Sequence, residues 1–373
     1  MSKKTSILAL DIGAGTKDIL LYEEGKKLEN CIKMVLPSPS LIYAEQVEEA
    51  TTAGRDLFVS GATIGGGKLS ASLKTHLRAG CRVFMTERAA LTVRNSLDEV
   101  AAMGIRIVPA EPEGFPGQRI ELDEIELPPL VHFLRHANLD LFTLSIVAIA
   151  VQDHGASPQG VSNRRVRLET MRQLLEKTPS PLSLVFSPEE IPRGHFRMQS
   201  AAAECRQSLP DAQVFITDTA PAAIYGCLED PLVHEAATVG DVLTVNVGNS
   251  HTMAALITGE RIKGIFEHHT GYLGQRKLLT YLKRFADGEL TGEEVFQDGG
   301  HGAFYLEGAP GSSRLAMVAA TGPNRSQLSE ADFRVYYAAP AGDVMMAGPL
   351  GLVRAALRKM QKVELMGFEP TTL

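Results

Sequence analysis

The sequence predicts an α/β protein of two domains built on one repeated plan, and three observations predict it. The chain has 373 residues, and at roughly 150 residues per domain that length gives two domains, or three at most. From Leu57 onward short β-rich runs alternate with helical stretches, the pattern of parallel strands covered by helices. A second half that begins near Gly240 repeats the opening order of strand, glycine turn, strand and third strand.

The first domain opens with strands over residues 7–11, 19–22 and 32–36, separated by Gly-rich and charged turns. Then come a strand over 57–61, a helix over 68–79, a strand over 81–85, a helix over 87–103 and a strand over 105–109. Residues 110–140, rich in Pro, Glu and Asp, read as a loop or small insertion. Residues 141–151 read as a buried strand that ends in the polar run Gln152-Asp153-His154-Gly155. The loop-like stretch 154–167 carries Arg164, Arg165 and Arg167, and a helix over 196–208 stops before Pro210. In the second half, strands are expected over 242–248, 251–257, 259–267, 315–320 and 333–338, with helices over 273–285 and 349–362. The expected division is 1–235, containing a Rossmann-like α/β insertion and a connecting helix, then 236–362, then a disordered tail 363–373 without periodicity.

Composition excludes several classes. Lys and Arg number 37 against 44 Asp and Glu, a net charge of −7, so no basic excess draws the chain to nucleic acid. The longest apolar run, 141–151, is too short for the ~20 residues of a bilayer span, so no membrane partner is expected. Only six residues separate Lys4 from Asp11, too few for a signal peptide, and a cytoplasmic location is expected. Cys31, Cys81, Cys205 and Cys227 form no closely spaced cluster for zinc or an iron–sulfur centre and read as reduced thiols.

The segment DIGAGTKD, residues 11–18, ends a buried strand on Asp11 and turns through Gly13, Gly15 and Thr16. Two glycines in a tight hairpin let backbone N–H groups approach an anion, and a carboxylate at the strand end can hold a Mg²⁺-bound water. The same hairpin could also be a plain turn. Three further segments occur in a telling order: ITDTAPAAIYGCLED at 216–230, VNVGNSHT at 245–252 and MMAGPLGLV at 345–353. In that order and spacing the chain resembles the actin, sugar-kinase and heat-shock chaperone ATPase superfamily.

The resemblance implies two ribonuclease-H-like domains of actin-like ATPase architecture with a nucleotide cleft between them, and ATP with Mg²⁺ as ligands. It places Asp11 at the metal, Gly13, Gly15 and Thr16 at the phosphates, and Asp218 where water or metal is oriented. Gly248, Asn249 and Ser250 would form the opposite phosphate face, and Gly348 and Gly351 would lie under the adenosine. Ala222, Ala223 and Gly226 would let the connecting helix pack closely. Within that superfamily the chain looks like a prokaryotic family labelled "putative pyruvate formate-lyase activating enzyme". Such activases hold a [4Fe–4S] cluster on three closely spaced cysteines, which this sequence lacks.

The second hairpin departs from the chaperone pattern by carrying Asn246 where an acid is expected, and an amide supplies no negative charge to hold Mg²⁺ or take a proton. ATP binding with slow hydrolysis or phosphoryl transfer to a small-molecule or protein acceptor is therefore expected. A non-catalytic nucleotide sensor or assembly protein is the alternative, and a radical-enzyme activase the reading least supported. Outside the superfamily pattern, Asp153 beside His154 at a strand end is a candidate general base, or part of a capped loop. His251, His268, His269 and His301 have no assigned role; adjacent strand residues face opposite ways, so His268 and His269 cannot both meet one ligand. Three weaker anion candidates are Lys68 in GATIGGGKL, the arginines at 164–167 and Arg325 in ATGPNR, each read more simply as turn or solvated surface.

Overall fold

A computed structural model describes residues 5–365 apart from 137, 138, 140, 142, 143 and 159. The first sheet contains β1 (Ser6–Ile12), β2 (Thr16–Glu23), β3 (Ile32–Pro37), β8 (Ile146–Val151) and β9 (Gln213–Thr217) in the order β3-β2-β1-β8-β9. β1 pairs antiparallel with β2 and parallel with β8. Its sequence SILALDI is apolar on both faces because both are covered: Ile7 and Ala9 enter one core, Leu8, Leu10 and Ile12 another.

The second sheet repeats this plan. β10 (Val242–Val247) pairs antiparallel with β11 (His251–Thr258), which pairs antiparallel with β12 (Arg261–His269). β14 (Met317–Thr321) and β15 (Val335–Tyr337) extend it in parallel beyond β10, and β13 (Gly302–Tyr305) borders β12. Apart from the added edge strand β13, both sheets thus have three antiparallel strands followed by two parallel ones, in the order 3-2-1-4-5. This is a duplicated ribonuclease-H-like architecture.

Between β3 and β8 lies a separate parallel sheet, β6-β5-β4-β7, formed by β4 (Leu57–Gly61), β5 (Val83–Met85), β6 (Arg106–Ile107) and β7 (Gln118–Leu122). Helices α1 (Pro39–Thr52), α2 (Gly67–Arg78), α3 (Glu87–Ala90) and α4 (Leu97–Ala102) accompany it, and Val47, Leu57, Leu69, Leu73 and Val83 share one buried core.

Several expected elements are redrawn. The single helix over 87–103 is two short ones, because Thr92 Oγ1 accepts the Ile64 N–H at 2.9 Å and Asn95 Nδ2 donates to the Gly155 carbonyl at 2.6 Å, holding a turn between them. The loop 110–140 contains β7 and α5 (Leu127–His136), whose two prolines sit in the first turn, where missing N–H groups cost nothing. The strand expected over 141–151 is formed from Ile146; residues 142 and 143 lie outside the described residues. The arginines at 164–167 belong to α6 (Asn163–Lys177). Of the expected tail, Leu365 still belongs to the final helix and 366–373 lie outside the described residues.

The remaining helices are α7 (Phe196–Ser208), α8 (Thr219–Cys227), α9 (Pro231–Val239), α10 (Thr270–Ala286), α11 (Gly292–Gln297) and α12 (Ala347–Leu365). α8 and α12 cross at glycine: a Cβ on Gly226 would lie 1.6 Å from the Ala347 oxygen, and one on Gly351 would lie 2.0 Å from the Ala222 oxygen. Among the described residues no helix is long and apolar enough to cross a membrane.

Candidate functional site

The β1–β2 and β10–β11 turns face each other across a cleft of about 560 Å³, a volume typical of small-ligand sites. Each turn is closed the same way: the Gly13 N–H donates to the Thr16 oxygen at 2.9 Å and the Gly248 N–H to the His251 oxygen at 2.9 Å. The two turns touch, since a Cβ on Gly15 would lie 2.4 Å from Asn249 Nδ2. Gly13 is open by contrast: a Cβ there would approach only the Thr16 oxygen, at 3.6 Å. Thr16, Asn249, Ser250 and Gly348 also line the cleft. Gly351 is engaged at the helix crossing, while Gly348 lies against Asp11: a Cβ there would meet Asp11 Oδ2 at 1.8 Å.

Asp11 and Asp18 are directly paired across the hairpin, both buried, and each has an oxygen, Oδ1, with no hydrogen-bond partner. Burial holds the Asp11 carboxyl well above the usual range, and the charges of Asp18 and Asp218 push the same way. Burial also raises Asp18 to about 7, against a weaker opposing hydrogen bond from Thr16. Asp18 is a site residue that the sequence motifs do not single out, although it stands opposite Asp11 in the hairpin pattern.

Behind these carboxylates lies a buried charge cluster. Arg167 from α6 donates to Asp218 through Nη1 at 2.5 Å and Nη2 at 2.8 Å, and to Glu267 on β12 through Nε and Nη2, each at 2.9 Å. All three side chains are at most 4% exposed. The guanidinium ties the start of α8 to the second sheet. Asp218 additionally accepts the Asp153 and Ala220 N–H groups, each at 3.2 Å. Asp153 accepts the Gly155, Arg197 and Met198 N–H groups at 2.8, 2.9 and 3.1 Å, which fastens the start of α7 to the end of β8. Arg197 in turn forks onto Glu124 at 2.8 and 3.0 Å and donates to the Gln152 and Ile12 carbonyls.

A family model described as "Putative pyruvate format-lyase activating enzyme (DUF1786)" matches residues 64–327. The chain belongs to this family. Among curated proteins none matches it. Solved structures similar to this DUF1786 chain include a ROK family glucokinase from Streptomyces griseus in complex with glucose and AMPPNP, 12% identical, covering 95% of this chain and 99% of that one with a TM-score of 0.32. MreB 5 of Spiroplasma citri bound to AMPPNP is 11% identical and covers 98% of this chain and 99% of its own, with a TM-score of 0.35.

The four cysteines of this DUF1786 protein stand on separate elements, and among the described residues no three of them gather as a metal-binding group. Burial pushes the Cys227 thiol up to about 12, the opposite of a ligating thiolate. The histidines do gather. His154, His251 and His301 bring ligand atoms within 4.8 Å of one another, and the His269 ring lies 4.6 Å from that of His251. His268 faces away, bonded to Asp298 at 3.0 Å, as strand alternation requires.

Of the weaker anion candidates, Gly65, Gly66, Gly67 and Gly322 line the cleft and Arg167 joins the buried charge cluster, but the other cationic side chains are engaged elsewhere. Lys68 pairs with Glu48 at 3.1 Å on the surface, Arg165 pairs with Glu293 at 2.8 Å, and Arg164 stacks on Phe296. Arg325 donates to the Gly322 carbonyl at 3.2 Å. Glu124, Arg197 and the pairing of Arg167 with Glu267 carry no signal along the sequence, since these partners are distant in the chain and no short motif joins them.

Proposed function

We propose that the cleft binds ATP with Mg²⁺ and turns it over slowly, with residues 1–235 and 236–362 as the two halves that close on it. The observation that carries this reading is the pair Asp11 and Asp18, buried side by side with unpartnered oxygens at the edge of two facing glycine hairpins. Two adjacent buried carboxylates repel one another, and a cation, or a proton in its place, relieves that repulsion. Oxygen donors of this kind suit Mg²⁺, which prefers one or two carboxylates together with substrate phosphates and water. Asp11 and Asp18 would hold it, and when bound it would neutralise charge on the transferred phosphoryl group. Thr16, Asn249 and Ser250 would supply short polar groups to the phosphates, and Gly13 and Gly248, whose N–H groups close their own turns, would leave room for them.

Slow turnover follows from the state of the other acids. Asp218 is saturated by Arg167 and two backbone amides, and Asp153 by three backbone amides, so neither presents a free oxygen to an attacking water. Asn246 supplies an amide in place of a base. In this reading Asp153 and Asp218 hold the walls of the cleft in place. The same saturation favours the second reading, a nucleotide sensor in which occupancy sets the angle between the halves.

Gly13→Val tests the site directly. The open space around Gly13 accommodates a side chain without disturbing the fold, while the added methyls occupy the phosphate approach. ATP affinity is expected to fall below detection with an unchanged melting temperature. Unchanged affinity removes this hairpin from the binding site.

A further inference from the structure

We propose that His154, His251 and His301 form a binding site for a first-row divalent metal ion of the Zn²⁺ class, with His269 in reach as a fourth ligand. Four separate parts of the chain build it: the segment after β8, the first residue of β11, the last residue of β12 and the residue preceding β13. His154 Nε2 and His301 Nε2 are 2.9 Å apart, and all three ligand atoms lie within 4.8 Å of one another. Imidazole nitrogens bound to one metal at about 2.0–2.1 Å must approach to roughly 3–3.5 Å, so small side-chain rotations suffice.

Two features mark the cluster as unfinished without an ion. His251 Nε2 and His301 Nδ1 are buried with no hydrogen-bond partner, and His301 is only 2% exposed. One N–H···N bond between neutral His154 and His301 still leaves His251 Nε2 and His301 Nδ1 without partners, and a cation shared by the rings would engage more of these nitrogens. Two cations and two anions face the cluster from neighbouring elements, Arg164 and Arg167 with Glu267 and Asp218. An all-nitrogen ligand set selects Zn²⁺ and its neighbours over Mg²⁺, whose ligands are oxygens. His154 and His251 line the cleft while His301 stands behind them, so one coordination position would open toward whatever occupies the cleft.

Untagged protein, stripped with chelator and held in a large excess of Mg²⁺, should bind one equivalent of Zn²⁺. Co²⁺ in its place should give visible absorption of a low-coordinate nitrogen site. His154→Gln and His301→Gln should each weaken Zn²⁺ binding by more than the roughly 10–100-fold typical of second-shell changes, whereas His268→Gln should leave it unchanged. Absence of a stoichiometric Zn²⁺ equivalent in the wild-type protein overturns the proposal, as does binding that persists in folded His154→Gln and His301→Gln. Because the excess Mg²⁺ covers the aspartates and no nucleotide is added, failure here leaves the reading of the nucleotide cleft untouched.

Discussion

Replacing Arg167 by Met keeps an apolar stem and removes the guanidinium with its charge, leaving Asp218 and Glu267 buried without their shared counter-ion. The guanidinium makes four bonds of 2.5–2.9 Å to these two carboxylates, and breaking a buried pair from one side costs about 3–5 kcal/mol. With an unfolding entropy of ~2.1 cal/mol/K per residue over 373 residues, the melting temperature should fall by about 4–6 °C. The pH dependence carries a sign. In the native protein Arg167 overcomes burial and holds Glu267 below its ordinary value, so its stabilisation is present above that value and lost as pH falls. In Arg167→Met burial acts alone and raises the group, so stability is instead lost as pH rises. The deficit of the variant should therefore be largest near neutral pH and shrink on acidification, read by thermal melts across a pH series. A loss under about 1 kcal/mol that does not vary with pH refutes the view that this cluster ties the two halves together.

Three further outcomes are expected. Gly348→Ala places a methyl 1.8 Å from Asp11 Oδ2; it should weaken Mg²⁺-dependent ATP binding at least about tenfold, ~1.4 kcal/mol, in titration calorimetry, with helix content unchanged by circular dichroism. Gly351→Ala forces α8 and α12 apart, since its Cβ would lie 2.0 Å from the Ala222 oxygen, and should cost about 1–3 kcal/mol in denaturant melts. Glu204 is raised from 4.5 to about 7, chiefly by burial and then by its hydrogen bond with Asp123. A raised acid stabilises below its unfolded value and loses that contribution as pH climbs through the folded one. The wild type should thus lose up to about 3 kcal/mol between pH 4.5 and pH 7 at this position, and Glu204→Gln should flatten that part of the profile.

Local features of the chain make much of the fold legible. DIGAGTKD and VNVGNSHT mark two strand–turn–strand units, and their repetition announces the duplicated sheet because β1 and β10 carry the same apolar run into the same glycine turn. Where local signal is thin, tertiary contacts decide: the break between α3 and α4 is held by bonds from Thr92 and Asn95 to distant backbone. Helix α1 is absent from the expected elements although Ser38-Pro39 is an ordinary helix start. The candidate site is half legible. Asp11, Gly13, Gly248 and Gly348 sit in recognisable motifs and line the cleft, while Gly15 packs against Asn249. Arg167 and Glu267 are 100 residues apart, and His154 and His301 are 147 apart. Only folding brings such pairs together, and no spacing along the chain encodes them. Asp153 reads as a base from its place at a strand end, but the same place makes it the natural cap for the backbone amides that begin α7.

The most direct test of the nucleotide cleft is titration calorimetry of the protein with ATP and with ADP, each with and without Mg²⁺, followed by phosphate release on the same sample. One site per chain, ATP affinity that depends on Mg²⁺, and phosphate release far slower than binding are expected. No binding of either nucleotide with Mg²⁺ present would contradict that expectation, and would mean that the hairpins and the paired aspartates serve another ligand.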